Sequence, residues 1–222
     1  MTGRTTKLIN TLATSPPARL WRRLKLGLGP EPIARRAALE TFLAQRAALI
    51  AQKCAVDYCR GKTGLASYAL FTEKPFLDAF DICRWETFAV VLGDLIIIAE
   101  GYLRPHIESG QHPPLCGALI SLYSTVLARD PVPAHRVQGW GDAETLFHTR
   151  LTAASLGNRQ SALDVADHSA QRLFETLPIH TSMRKLDEEV VYGAVRFRMI
   201  AVSQEMQRRL AGPELVKDLL AA

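Results

Sequence analysis

Phe88-Ala-Val-Val-Leu-Gly-Asp-Leu-Ile-Ile-Ile-Ala99 decides the fold of this chain, because it is apolar on every side except at Gly93 and Asp94. A helix without a polar face needs neighbours all round it, either inside a helical bundle or in a membrane. Crossing a membrane takes about 20 apolar residues. Glu86 and Glu100 bracket only thirteen residues here, with Asp94 among them. A central Asp costs about 2.5–3.5 kcal/mol even on lenient insertion scales, so the buried core helix is the expected state. Apolar spacing continues outward through Phe76, Phe80, Cys83 and Leu103. Pro75 suits a first helical turn and Pro105 ends one. Together these predict a single helix over about 75–104.

The flanking sequence supplies the neighbours. Leu39, Phe42, Leu43, Leu49, Ile50 and Cys54 form a stripe on a helix from Ile33 to about Arg60, with Gly61 as its stop. Past a loop at 105–114, helical spacing returns in Leu115, Leu119, Leu122 and Val126. Further helices are expected at about 142–156 with Asp142 as N-cap, at 160–176, at 184–211 and at 214–221. No segment shows sustained period-two alternation. The fold class is therefore all-α, a bundle-like domain of about six or seven helices wrapped around the central one.

Charge is placed unevenly. Residues 1–30 hold six basic and no acidic groups, while residues 31–222 hold 21 basic and 22 acidic ones. The chain divides accordingly into a basic arm (1–30) and a helical domain (31–222). Within the arm, Arg19-Leu20-Trp21-Arg22-Arg23-Leu24-Lys25 sorts into an apolar and a basic side at helical spacing. Such a segment suits an anionic membrane surface or an acidic protein partner. Its acid-free composition also fits a transit peptide, the alternative that would place the protein in an organelle matrix. Otherwise the expectation is a cytoplasmic protein, peripheral at the membrane through its arm. Four cysteines show no zinc spacing and three sit in apolar surroundings, so reduced, core-like thiols are expected.

Motifs that carry chemistry are sparse. Glu144 with His148, and Asp164 with His168, put carboxylate and imidazole at i, i+4 on one helix face. They are weak metal candidates, since di-iron bundles use i, i+3 pairs and further carboxylates from other helices. Arg60-Gly-Lys-Thr-Gly64 contains the GKT of a phosphate loop but lacks the earlier glycine and the preceding strand. No cofactor is called for. Asp94 needs a partner because an unpaired buried carboxylate costs several kcal/mol. Arg196 and Arg198, in a similarly apolar stretch, are the expected cations. Gly93 beside it permits close approach of another helix or a ligand.

These features favour a non-enzymatic helical adaptor or assembly factor whose arm contacts a membrane surface or an acidic partner. The alternative is a helical enzyme or ligand-binding protein with a polar pocket near Asp94, in one version metal-dependent. Nucleic acid is disfavoured because the domain has no charge excess of its own.

Overall fold

The computed structural model describes residues 30–221. Its helices in chain order are α1 (Arg36–Thr63), α2 (Ser67–Leu70), α3 (Lys74–Leu103), α4 (His112–Leu127) and α5 (Gly141–Leu156). These are followed by α6 (Ala162–Thr176), α7 (Thr181–Arg184), α8 (Glu188–Arg209) and α9 (Gly212–Leu220). No strand occurs among the described residues. Ile33 and Leu210 form one isolated parallel bridge, with Ile33 N donating to Arg209 O at 2.7 Å. Ile33 is thus extended and buried rather than helical, and it ties the start of the domain to the end of α8.

The all-α expectation holds, and its centre is α3. This helix of 30 residues packs against α1, α4, α5, α6, α8 and α9. Every residue from Phe88 to Ala99 is buried except Val90, which is half-buried. Among the described residues no helix is long and apolar enough to cross a membrane. Gly93 serves the close approach expected of it: a Cβ there would stand 3.0 Å from the Phe147 ring of α5. That ring stacks on Tyr123 of α4, with centroids 4.2 Å apart.

Several boundaries differ from expectation. Gly61 lies inside α1, and the helix instead stops at Gly64, whose φ of 53° no other residue type adopts easily. The helix expected over 184–211 starts later, because α7 ends at Arg184 and α8 begins only at Glu188. Asp142 sits within the first turn of α5, and Trp140 occupies the cap position. Lys62 of the GKT segment is in the last turn of α1 and pairs with Asp187 at 2.6 Å, so the segment is a helix end. Residues Arg19, Leu20, Trp21, Arg22, Arg23, Leu24 and Lys25 lie outside the described residues.

All four cysteines are free. Burial pushes the Cys54 and Cys83 thiols up to about 11 and the Cys59 thiol up to about 12, so they act as small core residues.

Candidate functional site

α3 carries three buried carboxylates, Glu86, Asp94 and Glu100. At about 100° per residue they fall within roughly 120° of one another, so they form one polar seam on an otherwise apolar helix. Each seam position meets cations from a different part of the chain.

Glu86, at the first turn of the apolar run, is gripped from the 128–140 loop and from α6. Arg136 donates through Nε at 2.6 Å and Nη2 at 2.7 Å, Arg172 through Nη2 at 2.5 Å, and His135 Nε2 lies 2.8 Å away. Burial alone would raise this carboxyl, but the hydrogen bonds from Arg136, Arg172 and His135 outweigh it and lower it to about 2. The Arg136 guanidinium also lies 4.5 Å over the Trp140 ring, which in turn meets Trp85.

Glu100 closes the other end of the seam. Arg104 binds it in a two-point fork at 2.9 and 2.7 Å, and His112 Nε2 is 3.0 Å away. The same guanidinium donates to the Gly157 and Ala154 carbonyls, so it also closes the C-terminus of α5.

Asp94, fully buried, sits between these two ends. Ser169 Oγ of α6 donates a short hydrogen bond to its Oδ2. Arg150 Nη1 of α5 lies 2.6 Å from Oδ1 as an ion pair whose N–H is not aligned for a hydrogen bond. His168 Nδ1 is 3.8 Å from the same oxygen; it is buried and has no hydrogen-bond partner.

The expected Asp94 pairing is therefore corrected. Arg196 binds Asp167 at 2.6 Å and Arg198 binds Asp57 at 2.8 Å. The reason is helical phase: α8 turns Val195, Met199 and Val202 into the core, which leaves positions 196 and 198 on its flanks. The i, i+4 metal candidates do not assemble either. Asp164 is used by the capping box at Ser161, His168 turns to Asp94, and His148 is exposed. Among the described residues no three His, Cys, Asp or Glu side chains are grouped to hold a metal ion.

A cleft of about 340 Å³ opens beside the Glu86 end of the seam. Ala89 and Val90 of α3 and Ala143 and Leu146 of α5 form its apolar walls. The polar wall is one face of α6: His168, Gln171, Arg172 and Glu175 stand at i, i+3, i+4 and i+7. Glu86, Arg136 and Asp142 complete the lining. The opposite face of α6 buries Val165, Ala166, Ser169, Ala170 and Leu173, which holds the polar face in position. None of the tyrosines lines this cleft; Tyr102 is bonded to Ser203 and Tyr123 to the Ala89 carbonyl.

Sequence reasoning missed Arg136, Arg150 and Arg172 because nothing in the chain order links them to α3. A usable signal was present: Glu86 and Glu100 fall within about 120° of Asp94 around the helix and therefore lie on one side of it. No family model matches the chain, and neither the curated proteins nor the solved structures include a match to it.

Proposed function

We propose that the protein binds a small polar molecule in the cleft between α3, α5 and α6. The observation that supports this reading is the α6 face, whose polar side chains His168, Gln171, Arg172 and Glu175 border a cleft with apolar walls. Its volume is in the range of small-ligand sites, and apolar walls with a few convergent polar groups are their usual composition.

Ala143→Phe tests it by filling the cleft from the α5 wall. A panel of charged and neutral metabolite-sized molecules is screened by chemical-shift change in the folded protein. At least one compound should shift resonances of Val90, Leu146 and His168 in the wild type and not in the variant. Shifts confined to other surfaces would remove the proposal.

The adaptor reading has one observation in its favour. Val190 and Phe197 of α8 are 65% and 73% exposed and, with the exposed Ala194 and Ala201, make an outward apolar stripe at helical spacing. Sedimentation with anionic liposomes, comparing the full chain with one beginning at Glu31, tests the membrane version. Equal binding by both would end it.

A further inference from the structure

Charge is distributed unevenly along the depth of the cleft. Around its inner end Arg136 and Arg172 stand against Glu86, two guanidinium groups to one carboxylate. His135 and His168 adjoin the same end. The remaining acids, Asp142 and Glu175, have side chains 71% and 48% exposed, so they sit at the mouth, where water and salt screen them.

Donor capacity points the same way. Arg136 is spent, with Nε and Nη2 on Glu86 and Nη1 on Asp142. Arg172 gives only Nη2 to Glu86 and reaches Glu175 no closer than 3.6 Å through Nη1. One turn earlier on the same face, His168 buries Nδ1 toward Asp94 while its ring lines the cleft.

We propose that the cleft captures the carboxylate or phosphate group of a small anionic molecule between Arg172 and His168. The inference rests on the cleft being the binding site. A guanidinium with unused donors presents a fork suited to an oxyanion.

Three probes separate the outcomes: succinate and inorganic phosphate as the two oxyanion sources, and putrescine as a cation of succinate's length. Binding is followed by chemical shift and by calorimetry. Succinate or phosphate should shift resonances of His168 and Arg172. Which of the two binds tighter identifies the source chemistry. Arg172→Gln should weaken binding about tenfold or more. His168→Gln, which leaves the Glu86 contacts intact, should also weaken binding. Putrescine binding alone would overturn the anion assignment and leave a ligand cleft standing. Anion binding that neither variant weakens would overturn the placement between Arg172 and His168. If no probe shifts any lining residue, both this inference and the cleft reading fall.

Discussion

Glu86→Gln replaces a buried carboxylate by an amide of the same shape while leaving Arg136, Arg172 and His135 around it. The native carboxyl titrates at about 2 against an ordinary value of 4.5. The folded state therefore binds fewer protons than the unfolded chain between those values. Stability from this group is complete above about pH 4.5 and is lost as pH falls toward about 2. A difference of about 2.5 units at about 1.36 kcal/mol each is worth about 3 kcal/mol. Integrating to about pH 3, the wild type should already have lost about 2 kcal/mol of this. The glutamine variant has no such group to titrate. Urea unfolding of both proteins at about pH 7 and about pH 3 isolates the effect, because the other carboxylates titrate equally in the two chains. The variant should be about 3 kcal/mol or more less stable at neutral pH, since two guanidinium groups then lack their shared partner. The gap should narrow by about 2 kcal/mol at the lower pH. A gap that is the same at both pH values would refute the assignment of Glu86 as an ionised buried anchor.

Asp94→Ala leaves Arg150 facing a buried void and should lower stability by about 3–5 kcal/mol. Arg196→Ala removes partly exposed pairs with Asp167 and Glu189 and should cost far less. Comparable losses in the two by denaturant unfolding would contradict the corrected pairing. Gly93→Ala sets a methyl 3.0 Å from the Phe147 ring, itself stacked on Tyr123, so strain should cancel the helix-propensity gain of about 1 kcal/mol and leave the variant no more stable than the wild type in thermal or urea unfolding. A clearly stabilised variant would mean that the α3–α5 contact is looser than described. Gly61 and Gly64 give opposite signs. Alanine at Gly61, helical with open space around it, should stabilise by about 0.5–1 kcal/mol. Alanine at Gly64, with φ of 53°, should destabilise by about 1 kcal/mol or more. Melting temperatures moving in the same direction would overturn the reassigned end of α1.

The central helix was legible because its pattern is local. Thirteen residues without a charge other than Asp94 cannot face water, and they are too few to face lipid. The one half-buried position in the run, Val90, is where the cleft opens, and no periodicity marks it. That Asp94 needs a cation also followed from the sequence alone, because desolvation demands one wherever the helix packs. Its identity did not follow. Arg196 and Arg198 lie in an apolar segment, but the phase of α8 directs them to Asp167 and Asp57. Arg150 lies in a segment without a strong apolar stripe and nevertheless reaches Asp94.

The amino-acid order by itself determined an all-helical body built around Phe88–Ala99 and the requirement that a buried Asp94 be compensated. Both depend on interactions within one helix and on the cost of removing groups from water, which are properties of local sequence. Only the tertiary structure decided which arginines answer Glu86, Asp94 and Glu100, and that the polar face of α6 should border a cleft. Those outcomes depend on the relative rotation of helices distant in sequence, and that rotation is set by how their apolar faces pack rather than by any residue read alone.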